Sequence, residues 1–468
     1  MPSNVLVYAR DSLIFIRRHF VFLKKHLRYI IRTKAFIFAL FLPIVSSLSA
    51  DEKSLTLSFP LIDLPAKSDA PMSVPSMAQS LAITKNFYQY VHLASLDRWS
   101  AEYPRGTTLS LLFFDFMSTW MPLGSSWLHE EWHRAAMGRE GINSYDEVND
   151  LPFFSEAISV SDIDDSSLAG FKKNDPAGFI RMHSAGIEAQ LELNLALEKD
   201  LFFSGIDAFN EFLLWSNVVN SISYSFVCAS NESDNLTNDI LSKEDENIRA
   251  RDFTGLDCNA WVYDLFRPNE PYADRGIHPS GNGVNRYIRY SDLSSNEKKY
   301  LKRQAVLSLL NIIDPFLIYK RKFYWQKIAW NANIRHHYTP FGNSIDINTF
   351  VKHPLADVMV VSHLYSNYHS RFYGIEMEII RHKLRQFEQT LVLTPRIMLW
   401  TQPRHLSFET STERFGGLIS VNVASKIYRN WEWFVELESK TTGWVAGNAY
   451  LEPSKSFRAG LNYQFARY

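Results

Sequence analysis

Residues 457–465 read FRAGLNYQF. Side chains alternate faces along an extended chain, so Phe457, Ala459, Leu461, Tyr463 and Phe465 share one side and Arg458, Gly460, Asn462 and Gln464 the other. The same period of two runs backwards through the chain. Trp433, Val435 and Leu437 face away from Glu436 and Glu438, and Ile419, Val421 and Val423 alternate with Ser420, Asn422 and Ala424. Tyr373, Ile375, Met377 and Ile379 alternate with Gly374, Glu376 and Glu378. Segments of about ten residues, apolar on one side and polar on the other, are what a transmembrane β-barrel strand requires. A soluble antiparallel sandwich with one wet face produces the same alternation, and the low count of 19 glycines is in keeping with it. Trp400, Tyr428, Trp431, Trp444 and Tyr450 stand near strand ends, where interfacial aromatic girdles are placed.

Before about Tyr319 the pattern is helical. Long apolar stretches run over Leu109 to Trp127, Ile187 to Phe203, Phe209 to Val227 and Ala305 to Ile313, punctuated by Pro122, Gly124, Pro176 and Pro315. Polar loops are expected at 140–175 and 229–300. The fold class that follows is α+β, a helical domain (80–318) followed by an antiparallel β domain (319–468), with 51–79 as a linker. The terminal run resembles the closing strand of bacterial outer-membrane barrels, which commonly ends in an aromatic residue. Here Ala466, Arg467 and Tyr468 follow Phe465.

The amino terminus carries Arg10, Arg17, Arg18, Lys24, Lys25, Arg28, Arg32 and Lys34, then the apolar run AFIFALFLPIV (35–45) and the small residues up to Ala50. Basic, apolar and small regions in that order form a secretory signal peptide (1–50), its apolar part short of the ~20 residues that span a bilayer. An uncleaved anchor is the alternative reading of the same residues. Export and an aromatic ending together favour the barrel over the sandwich, with lipid as a partner. Export also gives Cys228 and Cys258, the whole cysteine inventory, a role as one disulfide in an oxidising compartment. With 49 basic and 50 acidic residues the formal charge is −1, which rules out a basic nucleic-acid footprint spread over the chain.

One constellation carries chemistry. His129-Glu130-Glu131-Trp132-His133 is an HExxH motif, expected by chance roughly 0.02 times in such a chain. Pro122 and Gly124 close the preceding apolar stretch, Ser125 and Ser126 offer an N-cap, and Trp127 to Met137 reads as a helix. Positions i and i+4 share a helix face, so His129 and His133 can hold one ion, with Glu130 placed to take a proton from water. Glu131 reads as a solvated neighbour and Trp132 as core.

The motif resembles the zincin superfamily of zinc metallopeptidases. Position 139 is Arg, which excludes the metzincin extension. The gluzincin arrangement implies a Glu on a later helix, and Ser184-Ala185-Gly186-Ile187-Glu188-Ala189-Gln190 fits it, the small residues permitting close helix approach. The resemblance thus implies Zn²⁺ held by His129, His133 and Glu188, with Glu130 as general base. His183, Asp207 and Glu211 are rival ligands, and Asp115 is a candidate to orient a ligand histidine.

Three readings follow. The first is an exported, outer-membrane-associated zinc hydrolase acting on peptides or another cell-envelope amide. The second is a non-enzymatic structural or transport protein with a helical plug. The third places 107–128 and 205–228 in the inner membrane.

Overall fold

The FRAGLNYQF run lies within the strand Ser454–Ala466 and pairs on both sides. A computed structural model describes residues 54–65, 74–99, 103–150, 159–243, 247–386 and 389–466. The expected signal peptide lies outside the described residues. In chain order the strands are β1 (Ser54–Leu64), β2 (Tyr145–Asp146), β3 (Val160–Ser161), β4 (Phe323–Trp325), β5 (Ile328–Thr339), β6 (Gly342–His353) and β7 (Ala356–Ser366). They continue as β8 (Arg371–Ile380), β9 (His382–Gln386), β10 (Gln389–Pro403), β11 (Glu413–Tyr428), β12 (Trp431–Lys440) and β13 (Ser454–Ala466). All but β2 and β3 form one 11-stranded antiparallel sheet, ordered β1-β13-β12-β11-β10-β8-β7-β6-β5-β4, with β9 off the path on β10. Among the described residues β1 and β4 end the path without pairing to each other, so the sheet is not a closed barrel.

The helices are α1 (Met77–Trp99), α2 (Pro104–Ser118), α3 (Ser125–Gly138), α4 (Asp165–Asn174), α5 (Pro176–Phe203), α6 (Glu211–Cys228), α7 (Glu232–Lys243), α8 (Asp257–Phe266) and α9 (Ser295–Ser308). The expected α+β class holds, with helices preceding a large antiparallel sheet. The expected linker does not hold over residues 54–64, which form β1 and pair with β13. Sequence separation hid this partnership, because an eleven-residue strand near the start meets its mate only after some 400 intervening residues. Nor is 229–300 only loop, since it carries α7, α8 and the start of α9.

Burial is inverted relative to a wet-faced sheet. Phe415, Ile419 and Leu437 on the outer face are 69%, 62% and 55% exposed, while Arg335, Asp346 and Glu376 on the inner face are buried. What covers the polar face is α5. Asp175 caps it, accepting from Gly178 N at 2.9 Å, and Pro176 opens its first turn where no N–H partner is needed. Along its length polar groups of the helix meet polar groups of the sheet. Glu198 accepts from Asn333 Nδ2 at 2.6 Å and pairs with Arg335, and Lys199 donates to Glu378 at 2.6 Å. A buried charge is tolerable only when paired, and these contacts supply the pairing.

The open edge of β1 is dressed by α1. Asn86 donates to Ser58 O at 2.6 Å, Gln79 to Pro60 O at 3.2 Å and Lys85 to Thr56 O at 3.5 Å. Those three carbonyls recur every second residue, which is the spacing of an unpaired strand edge. Of the expected girdle aromatics, Tyr428 and Trp431 are exposed, but Trp400 of β10 and Trp444 of the β12–β13 connection are buried.

Candidate metal centre

α2 and α3 are separated by a tight turn at Pro122 and Gly124, the break expected there. A Cβ at Gly124 would fall 1.8 Å from Ser118 O, so only glycine permits this approach. Gly124 is also the N-cap of α3 with no side-chain cap bond, which replaces the expected serine cap. The α3 helix then presents His129 and His133 one turn apart, with ring centroids 4.9 Å from each other.

The third member of the cluster is Asp257, the first residue of α8. Its Oδ2 lies 2.9 Å from His129 Nε2 and 3.3 Å from His133 Nε2. One ligand atom from each residue falls within 4.8 Å of the others, a grouping able to hold a metal ion. The Nδ1–H of His133 donates to Met182 O at 2.6 Å, which assigns the tautomer and turns the Nε2 lone pair toward Asp257. That Nε2 is buried and makes no hydrogen bond of good geometry. Asp257 is itself held by its backbone N–H, which donates to Tyr224 Oη at 2.9 Å, and the Tyr224 ring lies edge-on to His129.

Close approach of α5 completes the wall. A Cβ at Gly186 would fall 2.2 Å from His129 Nε2 and 2.4 Å from His133 Nε2. The small-residue segment 184–190 thus does bring the two helices together, as its composition suggests, but none of its residues joins the metal-capable group found among the described residues. Glu188 is buried two residues beyond Gly186, about half a turn round the helix, accepting from Arg181 at 2.5 and 2.7 Å and from Gly447 N at 2.8 Å. His183 is bound to Asp264 at 3.0 Å, where Arg275 and Lys172 also converge. Asp207 and Glu211 both pair with Arg321, and Asp115 sits 2.6 Å from His92. Each rival acid or histidine therefore has a structural partner elsewhere.

Charge at the centre is one-sided. Burial alone would raise the Asp257 carboxyl, but His133 and His129 hold it well below the usual carboxylate range. Burial lowers His129, whereas at His133 the nearby Asp257 charge and the Met182 carbonyl outweigh burial and raise it. Glu130 is pushed well above its ordinary value by burial and by the carboxyls of Asp146, Asp257, Asp252 and Glu131. Asp252 rises to about 7 through burial and Asp257, despite donations from Gly255 and Phe253. Glu131 is not solvated as its sequence position suggests. It is buried and paired with Arg134, and burial together with the Glu131 charge pushes the neighbouring Asp146 carboxyl up to about 8. Trp132 is core, as expected.

Asp257 was hidden by its surroundings in the sequence. It lies in a stretch rich in Asn, Asp and Gly, and the neighbouring Cys258 draws attention first. The available signal was an acidic residue opening the largely apolar segment Cys258 to Phe266 (CNAWVYDLF), the signature of a helix start. Comparison with protein-family models, with curated proteins and with solved structures finds no match.

Proposed function

We propose that the protein is an exported, outer-membrane-associated zinc hydrolase, a metallopeptidase in its chemistry, with His129, His133 and Asp257 as ligands and Glu130 as the general base. The observation that carries this reading is the orphaned, carbonyl-oriented Nε2 of His133, facing a carboxylate oxygen that it shares with His129. Tetrahedral ligands at ~2.0–2.1 Å from zinc stand about 3.3 Å apart, which the separations of 2.9 and 3.3 Å approach. Bound zinc supplies a Lewis acid and a water acidified toward neutral pH.

The chain's own residues do the rest. No described side chain hydrogen-bonds the Glu130 carboxylate, which leaves it free to face the reacting water. Its raised proton affinity suits a group that takes a proton from water and passes it to a leaving nitrogen. Tyr224 and Met182 fix the ligands that must not move while this happens. The outward apolar face of the sheet supports an anchor in lipid, because a sheet in water would turn that face inward.

One observation favours the non-enzymatic alternative: α5 lies on the polar face of the sheet as a plug would. Metal analysis separates the two. Purified wild type should hold close to one zinc per chain, and Glu130→Gln should keep that zinc while peptide or amide hydrolysis drops at least ~10²-fold. Metal-free wild type that takes up no added zinc would remove the hydrolase reading. For the inner-membrane alternative, no single described helix is long and apolar enough to cross a membrane. Only the pair Glu211–Cys228 and Glu232–Ser242, bent by 90°, passes that test of length and composition together.

A further inference from the structure

Lipid tolerates no open strand edge, because each unpaired N–H and C=O would stand in hydrocarbon without a partner. The sheet nevertheless has two edges, β1 and β4. Between them the fold inserts helices, each joined to the next. α1 lies on β1 through Asn86 and Gln79, and α2 is tied to α1 through Asp115 on His92 and Ser118 on Tyr88. α2 packs on α6. α6 reaches the far side through Trp215 Nε1, which donates to Leu317 O at 2.7 Å, and Ile334 N of β5 donates to Ile313 O.

The outer surfaces of α2 and α6 share the character of the sheet's outer face. Leu109, Phe113 and Phe116 form one stripe on α2, while Thr107, Leu111, Asp115 and Ser118 face inward. Val219 and Phe226 are exposed on α6 two turns apart. After Arg105 the only charge on α2 is Asp115, buried against His92, and after Glu211 α6 has none. At 1.5 Å per residue the 15 and 18 residues extend about 22 and 27 Å, close to the ~30 Å hydrocarbon thickness.

We infer that the bilayer meets a continuous mixed wall, in which α2 and α6 fill the gap between β1 and β4 and present Leu109, Phe113, Phe116, Val219 and Phe226 to hydrocarbon chains. This rests on the membrane reading of the sheet. Helices are fit for the task because their backbone bonds are satisfied internally. The same α6 carries Tyr224 on its inner side, so the lipid-facing wall also buttresses the metal centre.

Acyl-chain photolabelling tests the wall. The full chain is folded into vesicles of phosphatidylethanolamine and phosphatidylglycerol containing a phospholipid with a terminal acyl diazirine, irradiated and mapped by mass spectrometry. Adducts are expected within 109–116 and 219–226 as well as on the outward residues of β11 and β12. Adducts on the strands alone would overturn the inference while leaving the membrane reading standing. Adducts on neither would overturn both.

Discussion

The imidazole of His133 is oriented by a backbone carbonyl, and the carboxylate it faces is engaged by the two histidines themselves rather than by a guanidinium. That division of labour separates Asp257 from Glu188 in their expected behaviour. Asp257→Ala should lose zinc in metal analysis, because two imidazoles alone hold the ion weakly. Glu188→Ala should keep its zinc but lose about 3–5 kcal/mol of stability in denaturant unfolding, since it strands the buried Arg181 guanidinium. Zinc loss from a folded Glu188→Ala protein would return the ligand role to Glu188. Proton competition gives a second expectation. Ligand histidines must be neutral, and His133 has its pKa raised by Asp257 while burial lowers that of His129. Falling pH therefore protonates His133 first, and zinc affinity measured by equilibrium dialysis should decline steadily from pH 8 to pH 5. A flat profile over that range would contradict the ligand set.

At the scale of elements, α6 ends at Cys228 and α8 begins at Asp257-Cys258, so the two cysteines sit where the helices meet. They stand as free, buried thiols within hydrogen-bond reach of each other, rather than as the bridge expected from export. Oxidation would staple the helix bearing Tyr224 to the helix bearing Asp257. In protein recovered from an exported fraction, non-reducing mass mapping should join the Cys228 and Cys258 peptides. Two freely alkylatable thiols after denaturation would argue against an oxidising compartment. The length of α6 was readable from its apolar run, and the HExxH helix from the Pro122 and Gly124 stops before it, although that helix is buried on nearly every face. α8 was not, because it is short and its start is disguised by polar neighbours.

Across the whole molecule, β1 pairs with β13 from far along the chain, and the polar face of the sheet is covered by α5. A fragment of residues 319–468 lacks both, so it should not give the heat-modifiable migration expected of a folded membrane sheet. Deleting residues 54–64 from the full chain should abolish that migration too, because β13 becomes a bare edge. Unchanged migration of the deletion would show that β1 is dispensable. The period-two alternation of FRAGLNYQF and its fellows determined by itself that the carboxyl-terminal part is antiparallel strand with one apolar side. The HExxH spacing likewise determined that His129 and His133 share one helix face, since both patterns are local and survive in a linear reading. Which side of the sheet faces outward, that β1 pairs with β13, and that Asp257 rather than Glu188 joins the histidines were decided only by tertiary structure. These depend on contacts between residues more than a hundred positions apart, and on Arg181 claiming Glu188 before any metal ion can.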